Sequence, residues 1–210
     1  MIKRHDEERL IALFRQIRDR QDREGEHTNY KDAPALHEMA ALIRPYAVRL
    51  DAAEDPGDIG AVCRFLGESY REMGRGVYAA EFFTYAFLAA VRVSAEDKED
   101  LFADAVKTRN WYVDDPCPDL KEAARRVLDP LDVETIFARA SKRTMKRDPV
   151  EMTPEYLAVI DGVEQKAEEN MTFQGMGSCH QRWSLTCEYL EEKGILWRSP
   201  AMMNPGWRFD

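Results

Sequence analysis

Near the C-terminus the chain runs GMGSCHQRWSLTCEYL, which sets Cys179 beside His180 just after two glycines. A cysteine thiolate is both a nucleophile and a metal ligand, and a helix N-terminus favours the thiolate form. Ser178 and Gln181 have the spacing of a capping box, which predicts that Cys179 and His180 open a helix and that the GMGS segment turns backbone N–H groups toward an anion. Consecutive helical residues point about 100° apart. The two side chains therefore cannot form a thiolate–imidazole dyad with each other, and an enzyme using Cys179 as nucleophile needs a base, His180 or His37, brought in by the fold. The competing reading is packing: Cys179, Trp183, Cys187 and Leu190 stand at i, i+4, i+8 and i+11, a core-facing stripe in which cysteine acts as a small apolar residue. No second ligand stands three or four residues from His180, so no metal is predicted. No nucleotide loop or paired carboxylates call for a cofactor.

The tail after this helix, GILWRSPAMMNPGWRFD, reads differently. Gly194 stops the helix, Ile195 to Arg198 suit a short strand, Asn204-Pro205-Gly206 suit a type II turn, and Trp207 to Phe209 can return. Aromatic side chains of this number should dock rather than stand in water. Either they pack on the chain's own helices, or Trp197 and Trp207 form a contact surface for a partner or a second copy.

The elements that must position these groups are helical. Leu10, Leu13, Phe14 and Ile17 fall on one helical stripe, after which RDRQDREGEHTNYKD loses the apolar period and reads as a polar connection. Leu36, Met39, Ala40 and Ile43 resume the stripe until Pro45, which should kink or stop the helix. Asp58 is the expected N-cap of a helix through Val62, Cys63, Leu66, Tyr70 and Met73, which MGRG ends. Ala79, Phe83, Ala86 and Ala90 mark the next helix, and Ser94, Asp119 with Glu122, Asp132 and Thr153-Pro154 are expected to open four more. No segment before residue 195 alternates with period 2, so the fold class is all-α, in a single helical domain over residues 1–210.

Composition bounds the function. Hydrophobic residues at 44% and charged residues at 33% specify a folded chain in water. The longest uncharged apolar run, Phe82 to Val91, is well short of the roughly 18 residues of a membrane span. A net charge of -9 repels polyanions, and the compact basic run Lys142, Arg143, Lys146, Arg147 is followed at once by Asp148, which argues against nucleic acid. The charged start MIKRHDEERL lacks the apolar stretch of a secretory signal, and four cysteines without a CxxC pair read as reduced thiols; both favour the cytoplasm.

One segment carries a resemblance. In GAVCRFLGESYREMGRGVYAAEFFTYAFLAAVRV, residues 60–93, Leu66, Gly67 and Tyr70 are followed by Ala79, Phe83 and Ala86 at the separations of the tetratricopeptide repeat, which this hairpin resembles. Cys63 stands where the family has tryptophan and Val91 where it has proline. The resemblance implies antiparallel helical hairpins, and a first-helix face presenting Arg64, Glu68 and Arg71 to a peptide or protein partner. The residues alone read equally as a solvated charge ladder. The tail looks like one found in uncharacterised bacterial proteins. Together these imply an interaction scaffold that binds a peptide, a protein or itself.

Overall fold

The computed structural model describes residues 1–112, 118–140, 145–172 and 175–209. Among the described residues there are ten α-helices and no strand, so the fold is all-α. The contacts divide the chain into two compact units, Met1–Arg143 and Thr144–Asp210, a boundary that the sequence reading did not draw. Each has its own apolar core.

In the first unit, α1 (Arg4–Glu24), α2 (Ala33–Ala47), α3 (Pro56–Glu72), α4 (Gly76–Arg92) and α5 (Lys98–Arg109) alternate in direction. Between α3 and α4 the closest approaches pair Gly60 with Ala89 and Gly67 with Phe83. Rising numbers on one helix thus meet falling numbers on the other. A β-carbon at Gly67 would lie 2.8 Å from Phe83 Cδ1, well inside contact distance, so glycine sets how near the helices come. Phe87 meets Phe102 on α5 at a ring separation of 5.2 Å. Tyr70, Phe82, Phe83, Phe87 and Phe102 are fully buried, and burial of aromatic side chains of this size contributes about 1.5–3 kcal/mol each. Two further helices, α6 (Pro118–Arg125) and α7 (Pro130–Ala140), follow, with Phe137 against Phe102.

The second unit pairs α8 (Pro154–Glu169) with α9 (Ser178–Glu191) around Tyr156, Ile160, Val163, Tyr189, Leu190 and Trp197. The short α10 (Pro200–Met203) lies in the tail.

Several boundaries depart from expectation for local reasons. Helix α1 runs on through the polar stretch to Glu24 and ends at Gly25 (φ 64°), whose N–H donates to Gln21 O. The buried Arg20 gives that last turn a polar core in place of an apolar one. Pro45 lies inside α2, which ends two residues later at Ala47, so the helix stops within a turn of the residue that lacks an N–H. Helix α3 starts at Pro56 after Asp55, not at Asp58, which sits in its first turn. Ser94, at φ 53°, closes α4 instead of opening α5: Ala95 N–H reaches back to Ala90 O at 2.9 Å, a Schellman-type ending. Asp129, not Asp132, caps α7 by accepting from Leu131 N–H at 2.8 Å. Thr153 does cap α8, accepting from Tyr156 N–H at 3.3 Å. The Asp119 side chain, Lys142, Arg143 and residues 113–117, Cys117 among them, lie outside the described residues.

Candidate interaction face

Helices α1, α3 and α5 of the first unit run side by side in one sense. Phe14 of α1 meets Phe65 of α3 edge to face at 4.9 Å. The Met1 amino group is 3.8 Å from Glu54 at one end, and Thr28 N–H donates to Glu72 at the other. Helix α5 continues the layer through Arg64 Nη1 to Asp97 at 2.6 Å and Arg71 Nη1 to Asp104 at 2.9 Å. Both pairs are separated by 33 residues, so one translation relates α3 to α5. The even helices α2 and α4 are bridged on their own side by Arg44, which donates twice to Glu81 at 2.7 and 3.0 Å.

On α3 the outward stripe is Ala61, Arg64, Phe65, Glu68 and Glu72, at helical spacing. Arg64 also donates to Glu68 at 3.0 Å, and the Arg71 guanidinium sits 5.0 Å from the Phe83 ring centroid. The bond that Arg64 donates to Glu68 is the largest cause raising the guanidinium pKa above its ordinary value. The expected charge ladder is therefore engaged with its own chain, and exposed pairs of this kind contribute at most about 1 kcal/mol each. Contact energy for a partner resides instead in apolar residues beside them. Ile11 is 44% and Phe14 41% exposed, next to half-buried Phe65. Arg15 and Arg18 flank them on α1, exposed and in no ion pair among the described residues.

Sequence reasoning assigned Phe14 to the core stripe and passed over Phe65. Phe14 lies at the edge of the stripe of buried Leu10, Leu13 and Ile17, and Phe65 follows Arg64 on the polar side of α3.

The Cys179–His180 end is built otherwise than its sequence implies. Ser178 is the first residue of α9, and Gly177 (φ 84°) precedes it without a side-chain cap. Gln181 turns away to donate to Thr172 at 2.7 Å, so the capping box does not form. His180 is exposed, with Nε2 3.3 Å from Phe209 O and its ring edge-on to Trp183 at 5.4 Å. The Cys179 thiol is half-buried and has no hydrogen-bonded base among the described residues. The buried stripe of α9 is Thr186, Tyr189 and Leu190, which keeps Leu190 of the expected stripe and is turned from it by part of a turn, so that Trp183 and Cys187 are only partly buried at its edge. His37, the other conceivable base, has Nδ1 2.9 Å from the Tyr70 hydroxyl in the first unit. Cys63 is buried there, and burial pushes its thiol up to about 12, which keeps it protonated and unreactive at neutral pH.

Residues 195–198 take no strand conformation, and Trp197 and Arg198 bond instead to the Glu151 and Asp148 side chains. Trp197 is buried and donates Nε1–H to Glu151 at 2.8 Å. Asp148 accepts from Arg198 N–H at 2.8 Å and Nε–H at 2.9 Å. Asn204 is paired with the Lys146 backbone, accepting from its N–H at 2.8 Å and donating to its carbonyl at 2.7 Å. A turn does form at 204–207, where Trp207 N–H donates to Asn204 O at 3.0 Å. Phe209 then packs on Trp183 at 5.1 Å, while Trp207 stays 47% exposed.

Among the described residues no three His, Cys, Asp or Glu side chains converge to hold a metal ion, and no helix is long and apolar enough to cross a membrane. The chain matches no described protein family, no curated protein and no solved structure.

Proposed function

We propose that the chain is a cytoplasmic protein-interaction scaffold, in which tetratricopeptide-like hairpins stack so that α1, α3 and α5 offer one face to a peptide or protein segment. The observation that carries this reading is the parallel layer itself. Its 33-residue step between α3 and α5 is close to the 34 residues of the repeat, and Ile11, Phe14 and Phe65 leave apolar surface on it. The longer α1–α3 spacing is taken up by the Arg20-centred connection, so the stacking is irregular while its sense is kept. The paired charges of Arg64, Glu68 and Arg71 border the apolar step and supply register more than affinity.

A random peptide library selected on the full chain tests this. Selected peptides are expected to lose at least about tenfold in affinity against Ile11→Glu or Phe14→Ser, the loss of one apolar anchor. Leu131→Glu, a change at a 74% exposed residue on α7, should leave binding intact. Peptides that bind the Phe14→Ser chain as well as the parent place recognition elsewhere and reject the reading.

A further inference from the structure

A second concavity, of about 440 Å³, lies where the N-terminal segment crosses the end of α2 and the turn after it. Its floor is Ile59, 1% exposed, and its walls are Ala41, Leu42, Pro45 and Ala53. Small side chains on α2 leave the space open, and Pro45 adds an apolar ring where any other residue would bring an N–H. The volume falls within the range of small-ligand sites, which are mostly apolar with a few placed polar groups.

The polar groups are unequal in sign. Lys3 and Arg49 stand at the rim, both exposed and both in no ion pair among the described residues. The one carboxylate in the lining, Asp6, is already occupied: Tyr46 O–H donates to it at 2.5 Å, and His5 Nδ1 is 3.4 Å away. The Tyr46 oxygen in turn accepts from Lys3 N–H at 3.1 Å. Hydrogen bonding from Tyr46 holds the Asp6 carboxyl below its ordinary range, so it stays an acceptor committed to that hydroxyl. An apolar slot thus opens under two cations and a single carboxylate, Asp6, whose hydrogen bonding is taken up by Tyr46, so positive charge is in excess at the rim. We infer that this cleft binds a small amphipathic anion, an apolar chain of several carbons in the slot with a terminal carboxylate between Lys3 and Arg49. Arginine and lysine hold such a group by charge-assisted hydrogen bonds, which are strongest where the rest of the ligand excludes water.

Decanoate and decyltrimethylammonium, each below its micellar concentration, are the probes for titration of the full chain by calorimetry and amide NMR. Decanoate should saturate one site and shift the amides of Leu42, Tyr46, Ala53 and Ile59. The ammonium amphiphile should bind at least about tenfold more weakly, the sign preference that two unpaired cations impose. Arg49→Glu removes an exposed side chain that makes no ion pair among the described residues and should weaken decanoate about tenfold or more; Ala41→Trp should block the slot and abolish binding. Equal affinity for the two amphiphiles, unchanged decanoate affinity in Arg49→Glu or Ala41→Trp, shifts confined to other parts of the chain, or no saturable binding each overturn the inference.

Discussion

At the scale of single residues, Arg20 is the most committed charge in the first unit. Its side chain is 10% exposed and Asp32's is 2% exposed, and two guanidinium N–H groups bind the two Asp32 oxygens, the first at 2.7 Å. A third bond goes to His27 O at 2.9 Å, and Glu24 and Glu26 lie at 3.4 and 3.2 Å. Burial alone would lower the Arg20 pKa, and the hydrogen bonds and charge of Asp32 override it, so the guanidinium keeps its charge in the fold. Replacing one member of such a pair strands the other in a site without water. Asp32→Ala is therefore expected to cost about 3–5 kcal/mol, seen as a fall in the urea midpoint. Asp51→Ala, at an exposed position, should move it by less than about 0.5 kcal/mol. Equal midpoints for the two variants would show that Arg20 is solvated and that the connection is held by something else. A sequence shows the charges of RDRQDREGEHTNYKD but not which of its many arginines meets which acid, because that pairing is made across the turn between antiparallel helices. The same limit applies at Cys179, where the residue types fitted a capping box and backbone geometry at Gly177 decided otherwise.

At the scale of elements, the pairing of α3 with α4 was legible because it rests on size at fixed spacing. Gly67 and Ala79 are small where Tyr70 and Phe83 are large, and a local hairpin needs no knowledge of distant chain. The caps were less legible. Asp55 and Asp129 stand just ahead of Asp58 and Asp132, the acids expected as caps, where a first-turn acid and an N-cap look alike in sequence, and Asp97 stands just after the expected Ser94. The exposed side of α1 was misread because Leu10, Leu13, Phe14 and Ile17 share one stripe with Phe14 at its edge, and only the neighbour that covers a stripe decides which of its residues are buried. The glycines separate packing from propensity. Gly67→Ala places a methyl 2.8 Å from the Phe83 ring and is expected to destabilise by about 1–3 kcal/mol through overpacking, although alanine is the better helix former. Gly162, inside α8, would bring its β-carbon within 4 Å of nothing, so Gly162→Ala should stabilise by about 0.5–1 kcal/mol. Thermal denaturation of the two variants checks the opposite signs. A stabilising Gly67→Ala would mean that the close approach to Phe83 is not what holds the two helices in register.

At the scale of the whole molecule, each unit closes its core in its own way, and in the second the closure is the tail. Residues 145–152 and 195–204 are tied by side chains: Glu151 receives Trp197, Asp148 receives Arg198, and Asn204 brackets Lys146. That the tail aromatics pack on their own chain could be argued from their size, but these partners could not, since they stand some 46 to 58 residues away in sequence. Burial pushes the Asp148 carboxyl up, and the bonds from the Arg198 side chain, Val150 N–H and Arg198 N–H outweigh it, so its pKa lies below the ordinary 3.8. A depressed carboxylate stabilises the fold at pH values above its unfolded pKa, and that contribution fades as pH falls below about 3.8 toward the folded value. The tail should accordingly loosen in acid and stay clasped at neutral pH. Deleting residues 195–210 removes Trp197 from the core and leaves Asp148 and Glu151, 5% and 2% exposed, without their tail donors. Hydrogen-exchange protection of α8 and α9 is expected to collapse in the truncated chain while α3 and α4 keep theirs. Trp207→Ala, which alters a half-exposed ring, should leave both untouched. The melting temperature of the intact chain should not change over about a hundredfold range of concentration, because the contacts lie within one copy; a subunit contact would make it rise by mass action. Retained protection of α8 and α9 after truncation, or a concentration-dependent melting temperature, would assign the tail to a partner instead of to its own core.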